Sequence, residues 1–226
     1  MIWFASKPSR WHCLNSYYKQ SSWTKPVAGY FRSPFFTKTI DLSSTLDEIE
    51  SHFDPKTKYE VRRALKDGIS THTNGNTGDF IKFYNAFAKT KGLGLIGESG
   101  LAKYQADLLI TYAVSHAQVV VMHAYVTDRN AGRTRLLYSA SLFRNEQDAS
   151  VKAVIGRANR LLHTADISFF KTDGFIVYDL GGYAPNTTDA ALININQFKD
   201  SFGGTLVKET DYQPLLAVAA SFFKRS

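Results

Sequence analysis

The segment 151–160, with the sequence VKAVIGRANR, has the residue types of a phosphate-binding helix start. Apolar spacing predicts a helix over about residues 153–170, directly after a strand-like segment. Gly156 would let the backbone approach a ligand closely, and the free N–H groups of a helix N-terminus attract phosphate. Arg157 and Arg160 would add positive charge. The alternative is that Gly156 only permits close packing.

A second feature is the carboxylate of Asp179, at the end of a short apolar strand predicted over residues 175–180. Ligands of open α/β sheets bind at such strand ends. Asp179 is therefore a candidate general base or amine-binding carboxylate. Its alternative role is to cap the turn at Gly181 and Gly182.

Among the six histidines, His123 is the candidate for chemistry, because it lies in the middle of a predicted strand. Its imidazole would act as a base if it pointed into a cleft, with a pKa near neutrality. A buried structural histidine is the alternative. The other histidines and the single Cys13 show no metal-ligand spacing, so no metal site is expected.

Two adjacent arginines, Arg62 and Arg63, follow Tyr59 on a predicted helix over residues 55–68. Guanidinium groups suit the phosphate or carboxylate of an acceptor substrate. The alternative is a charged helix face in water.

The elements that must position these residues indicate a mixed α/β fold. The sequence predicts helices at 43–53, 55–68, 79–92, 101–115, 153–170, 189–202 and 215–224, and strands at 35–42, 118–127, 134–143, 175–180 and 206–209. Helices come first, then an antiparallel hairpin, then a β-α-β-α-β passage. This order predicts a single domain with a mixed, mostly antiparallel sheet flanked by helices.

The net charge of +7 is concentrated in residues 1–40, which hold six basic residues, no acidic residue, ten aromatic residues and all three tryptophans. Such a segment can bind phosphate and stack bases, or it can simply pack into the core. A charged content of 21% with 14% aromatics excludes a disordered chain or a coiled coil. The lone Cys13 points to a reducing compartment, and no apolar run approaches the roughly 20 residues of a membrane span. We expect a cytoplasmic protein without a signal peptide.

Four short motifs occur in order along the chain: residues 39–42 (TIDL), 59–69 (YEVRRALKDGI), 178–182 (YDLGG) and 198–204 (FKDSFGG). Together they resemble the FemAB-like branch of the GNAT acyltransferase superfamily. The segment 151–160 resembles the GNAT motif Arg/Gln-x-x-Gly-x-Gly/Ala, which holds the pyrophosphate of coenzyme A; Ala153 stands where Arg or Gln is usual. The resemblance implies a GNAT-like domain over 39–226, preceded by a basic aromatic extension, 1–38, that packs on it.

The resemblance also implies roles for particular residues. Lys199 matches the lysine of the family's Phe-Lys-x-x-Phe-Gly motif, which serves acyl transfer or acceptor binding, although an exposed helical lysine is the alternative. Taken together, the predicted catalytic residues are Asp179, Lys199 and His123, the predicted coenzyme-binding residues are Gly156, Arg157, Ala158 and Arg160, and the predicted acceptor-binding residues are Tyr59, Arg62, Arg63 and Tyr178.

Three functions follow as expectations. The first is an N-acyltransferase that moves an acyl group from acyl-CoA to an amine, with an amino sugar of cell-surface polysaccharide synthesis, free or on a carrier, as the acceptor. The second is an aminoacyl-tRNA-dependent transferase, since FemAB enzymes attach amino acids to peptidoglycan precursors. The third is a non-catalytic module that binds nucleic acid or an anionic membrane. The partners expected for the segment 1–38 are tRNA and, through peripheral contact, the inner face of the membrane.

Overall fold

The computed structural model describes residues 1–104, 107–144 and 146–223. Its strands are β1 (Ile2–Trp3), β2 (Tyr18–Ser21), β3 (Tyr30–Asp41), β4 (Ser70–His72), β5 (Leu108–Ser115), β6 (Gln118–Asp128), β7 (Arg133–Ser141), β8 (Val177–Gly182) and β9 (Thr205–Pro214). Its α-helices are α1 (Leu46–Ser51), α2 (Pro55–Lys66), α3 (Thr77–Lys91), α4 (Glu98–Ala102), α5 (Ala149–Thr172), α6 (Ala190–Asp200) and α7 (Leu215–Phe223).

The contacts between residues divide the chain into two compact units. The terminal unit comprises Met1–Thr39, Gly182–Asn196 and the chain from Thr205 onward, and the central unit comprises Ile40–Gly181 and Gln197–Gly204. The predicted division at residue 38 into an extension and a domain stays a prediction.

In the terminal unit, the basic aromatic segment is paired with the last strand. Strand β2 pairs with β1 in parallel and with β9 antiparallel, and β3 pairs antiparallel with β9 over ten residue pairs. Tyr18, Tyr30 and Tyr212 form its buried aromatic core. Lys19 pairs with Asp211 at 2.7 Å. Some of the N-terminal aromatic residues therefore serve packing.

The central unit holds strands in the order β8-β7-β6-β5-β4. Neighbouring strands are antiparallel except β7 and β8, which are parallel. Helix α5 packs on the strands and against α2, where Arg157 lies 2.9 Å from Asp67. The predicted fold class, a mixed and mostly antiparallel α/β arrangement flanked by helices, is confirmed.

One element was predicted with the wrong type. The apolar spacing of residues 101–115 predicts a helix, but among the described residues of this segment Leu108–Ser115 is strand β5, and helix α4 ends at Ala102. A short apolar run does not distinguish a buried strand from a helix by periodicity alone. Here the pairing decides, because β5 lies between β4 and β6 and its backbone groups bond on both sides.

Candidate functional site

The parallel strands β7 and β8 create the site in the central unit. Their paired residues are Arg133 with Val177, Thr134 with Tyr178, and Arg135 with Asp179. Two residues past the last pair, Gly181 adopts a left-handed backbone with φ +78°. A Cβ at Gly181 would lie only 2.8 Å from the carbonyl oxygen of Leu136, so the close approach of the two strands requires glycine here.

Asp179 is fully buried at this point of the ladder. One carboxylate oxygen forms an ion pair with the guanidinium of Arg133, and the other accepts a hydrogen bond from the Gly181 N–H at 2.7 Å. The alternative role of Asp179, capping the glycine turn, is confirmed. Because both oxygens are held, the carboxylate positions its neighbours, and its predicted action as a base has no geometric support.

Lys199, near the end of α6, approaches the same turn. Its Nζ would lie 3.9 Å from a Cβ at Gly181. Burial lowers the pKa of Lys199 from 10.5 to about 8. The charge of Asp179 raises this pKa and the charge of Arg135 lowers it, but burial has the largest effect. The interpretation of Lys199 as an exposed helical lysine is therefore wrong. Its amine changes charge close to physiological pH.

The aromatic residues of the FKDSFGG motif anchor the end of α6, on which Lys199 lies. The rings of Phe198 and Phe202 lie 5.3 Å apart, and Phe202 is fully buried against Phe53. Ser201 receives a hydrogen bond from Thr57 of α2 at 3.0 Å. The end of α6 is thus fixed from several sides, which anchors the backbone that carries Lys199.

A buried polar network lies behind this turn. Asp166 of α5 accepts hydrogen bonds from His123 at 2.9 Å, from Tyr125 at 2.6 Å and from Thr111 at 3.1 Å. The second ring nitrogen of His123 lies 2.9 Å from Asn159. His123 is fully enclosed, so the expectation that it points into a cleft is wrong and the structural alternative describes its placement.

The predicted acceptor-binding residues are not brought together. Tyr178 is fully buried, and its hydroxyl contacts Tyr125 at 2.7 Å and His163 at 2.8 Å. Tyr59 and the two arginines, Arg62 and Arg63, are exposed on α2. Burial places Tyr178 in the core, so the expectation that it contacts an acceptor directly is wrong, while the acceptor-binding roles of Tyr59, Arg62 and Arg63 stay a prediction.

The predicted coenzyme-binding residues also diverge. Helix α5 begins at Ala149, so Gly156 is its eighth residue and not its start. Arg157 pairs with Asp67, Ala158 is fully buried, and Arg160 donates to Thr57 at 3.3 Å. The expected phosphate site at a helix N-terminus is wrong for Gly156, since an amide in the third turn is committed to the helix.

The true N-terminus of α5 is occupied by the protein's own carboxylates. Asp148 accepts a hydrogen bond from the Ser150 N–H at 2.6 Å, and Glu146 accepts from the Gln147 and Asp148 N–H groups at 2.7 and 2.9 Å. These acidic side chains disfavour a phosphate there. The coenzyme-binding roles of Gly156, Arg157, Ala158 and Arg160 stay a prediction.

The sequence analysis missed Arg133, Arg135 and Asp166; it places His163 one turn beyond Asn159 on the predicted helix and favours a structural role for it. A signal for part of this set was present: Asn159, His163 and Asp166 are spaced by four and three residues, which places them on one face of α5. Polar side chains on a helix face that is otherwise apolar indicate a buried network. Arg133 carried no such signal, because it sits at the hairpin turn.

Within the described chain, no group of histidine, cysteine and acidic side chains has the arrangement of a metal site. Among the same residues, no helix combines the length and apolar character that crossing a membrane requires.

No protein-family model and no curated protein matches the sequence. Solved structures share the fold. FemX matches with a TM-score of 0.66 at 12% identity, over 93% of this chain and 69% of FemX. The C-terminal domain of a putative lysylphosphatidylglycerol synthetase from Agrobacterium fabrum matches with a TM-score of 0.60 at 10% identity, over 92% of this chain and 70% of that one. L-PGS from Bacillus licheniformis matches with a TM-score of 0.53 at 14% identity, over 82% and 62%.

Proposed function

We propose that the protein transfers an acyl or aminoacyl group from an activated ester or thioester to an amine. The observation that carries the proposal is the Lys199 amine, with a pKa of about 8, beside Gly181 where the β7–β8 ladder ends. The fold shared with FemX and with the domain of a putative lysylphosphatidylglycerol synthetase supports the same chemistry.

This reaction asks little of the protein beyond placement and charge. An ester or thioester is already activated, so the enzyme must orient the amine, remove its proton and stabilise the oxyanion. The ammonium form of Lys199 dominates at pH 7, because its pKa is about 8. In this form it donates a hydrogen bond to the acyl oxygen as negative charge develops there.

For the donor we propose acyl-CoA, and for the acceptor an amino sugar, free or on a carrier. This choice follows the resemblance of the motifs to the FemAB-like branch of the GNAT acyltransferases. Because acidic side chains occupy the N-terminus of α5, the pyrophosphate must bind elsewhere in this protein. Arg157 and Arg160, in the third and fourth turns of α5, are the cations that we propose for the pyrophosphate.

An aminoacyl-tRNA donor is the second candidate, and a specific observation favours it. Trp11 is 80% exposed in the basic N-terminal segment, and the guanidinium of Arg10 lies 4.9 Å from its ring centre. Exposed aromatic rings beside cations stack on bases and contact phosphates. From the same segment and the lone Cys13 we propose action in the cytoplasm, with peripheral contact at the inner membrane face.

The test compares the two donors with one protein. Acyl transfer is followed as thiol release from acetyl-CoA with amino-sugar acceptors, and aminoacyl transfer as loss of label from charged tRNA. Lys199→Met should lower kcat at least 100-fold with the donor that is used, while Lys66→Met, an exposed lysine of α2, should leave kcat unchanged.

Binding separates the remaining alternatives. A rise in melting temperature with acetyl-CoA supports the first donor, and tRNA retention that weakens steeply with salt supports the second. Binding of tRNA or anionic vesicles without turnover of any donor would leave only a non-catalytic module and would overturn the proposed function.

A further inference from the structure

We infer that His163, and neither His123 nor Asp179, accepts the proton that the acceptor amine loses during transfer. This inference rests on the proposed function and assigns a base to it. His163 lies on α5, its ring is 2% exposed, and its Nδ1 is 2.8 Å from the Tyr178 hydroxyl.

The hydrogen-bond chain behind His163 fixes its tautomer. Tyr125 donates its hydroxyl proton to the Asp166 carboxylate at 2.6 Å. The 2.7 Å contact between the hydroxyls of Tyr125 and Tyr178 must then use the Tyr178 proton, because Tyr125 has no second proton to give. The oxygen of Tyr178 is left as an acceptor, so Nδ1 of His163 must carry the proton.

With the proton on Nδ1, the other ring nitrogen, Nε2, holds a lone pair. Nε2 of His163 makes no hydrogen bond within the described chain, whereas both ring nitrogens of His123 are engaged by Asp166 and Asn159. Both oxygens of Asp179 are likewise held, by Arg133 and Gly181. Of these three groups, His163 has the available basic atom.

The surroundings keep the His163 ring neutral. Desolvation by burial lowers its pKa well below 6.5, and the charges of His123, Lys199 and Arg160 lower it further. Three aromatic rings also surround the His163 ring. Their centres lie 6.3 Å away for Tyr178 of β8, 5.5 Å for Phe198 of α6 and 5.1 Å for Phe202, just after α6. The imidazole is therefore neutral at pH 7, with Nε2 unprotonated, and the charge that develops when it takes a proton depends on the reacting groups beside it.

The neighbours of His163 that reach solvent mark the side from which the amine arrives. Phe198, Lys199 and Arg160 are each partly exposed, and the guanidinium of Arg160 lies 5.1 Å from the Phe198 ring centre. We place the acceptor amine among these three side chains. In this position the His163 imidazole can take the proton of the amine, and the Lys199 ammonium can donate a hydrogen bond to the acyl oxygen.

The step balances without a further reactant. The amine nitrogen attacks the acyl carbon and forms the new C–N bond, while its proton moves to Nε2 of His163. The negative charge on the acyl oxygen receives the hydrogen bond of the Lys199 ammonium. The C–O or C–S bond then breaks, and the His163 imidazolium returns the proton to the departing alkoxide or thiolate.

The experiment replaces His163 by Asn, whose side-chain amide retains a donor toward Tyr178 but has no basic nitrogen. With the donor that the wild type uses, His163→Asn should lower kcat about 10² to 10⁴-fold. The control His72→Asn, at an exposed position on β4, should keep the wild-type kcat. Melting temperatures show that each variant folds.

A second measurement reads the tautomer directly and needs no substrate. Nitrogen-15 NMR of the histidine rings should show His163 with a proton on Nδ1 and none on Nε2 at pH 7, and Tyr178→Phe should change this signature. A proton on Nε2 at pH 7 would overturn the inference.

The outcomes also separate the inference from the proposed function. Wild-type transfer that persists within threefold in His163→Asn overturns the base role alone. Absence of transfer by the wild type with either donor overturns the proposed function and the base role together. Loss of transfer in a folded His163→Asn protein, with the expected NMR signature, supports both.

Discussion

Arg133 and Asp179 form an ion pair between the parallel strands β7 and β8, and Asp179 is fully buried in it. The same carboxylate binds the Gly181 N–H, beside which the Lys199 amine lies. The guanidinium of Arg133 thus partly neutralises the Asp179 carboxylate, which would otherwise raise the pKa of Lys199 more strongly. The pair links the stability of the ladder to the charge state of the lysine.

Arg133→Met should destabilise the protein strongly. The substitution leaves the buried Asp179 carboxylate without its partner, which costs about 3 to 5 kcal/mol in buried pairs. Urea denaturation measures the loss. The matched control is Arg129→Met, which breaks the exposed pair with Asp173 at 2.8 Å and should cost about 1 kcal/mol or less. Equal losses in the two variants would contradict the role assigned to Arg133.

Lys199 should react with amine reagents faster than the surface lysines. At pH 8 about half of the Lys199 amines are neutral, against about one in 300 for a lysine with a pKa of 10.5. Its partial burial slows the approach of a large reagent, so a small one such as cyanate is suitable. Mass spectrometry after brief treatment should find carbamylation at Lys199 before Lys66, and the reverse order would refute the lowered pKa.

The sequence predicted the fold well where local signals and long-range pairing agree. The hairpin of β6 and β7 has β-branched strands around a turn with Asn130 and Gly132, and α2 has Asp54 and Pro55 at its start. Strand β5 was misassigned because its apolar run fits a helix equally well, and only its pairing with β4 and β6 resolves the type.

The site was predicted in part. Two of the predicted catalytic residues, Asp179 and Lys199, lie near the same glycine, Gly181. The partners of Asp179 and the chain from Asp166 to His163 depend on side chains that meet across strands and helices far apart in sequence. A single sequence does not indicate which buried polar residues pair, so the tautomer of His163 required the structure.

Gly156→Ala should stabilise the protein. Gly156 lies inside α5, and a Cβ there would meet nothing within 4 Å, so the alanine gains helix propensity without a clash. The gain is about 1 kcal/mol at most, visible as a higher urea midpoint.

The contrasting variant is Gly181→Ala, which should lose stability because of its left-handed backbone and its contact with Leu136. A lower midpoint for Gly156→Ala would show that the glycine serves close packing after all. Retained acetyl-CoA binding by the stabilised variant would also remove Gly156 from the coenzyme site.

The stability of the protein should fall in acid partly because of His163. Its pKa is lowered in the folded state, so below pH 6.5 the unfolded chain binds a proton at this residue that the folded chain does not. The contribution of His163 is therefore fully present above pH 6.5 and decreases as the pH falls toward the lowered folded value. Urea midpoints between pH 7.5 and 5 should decline less steeply in His163→Asn than in the wild type, and the exposed-site variant His72→Asn should keep the wild-type slope. An unchanged slope in His163→Asn would show that the imidazole is not held neutral by its burial, and the base role would lose its physical ground.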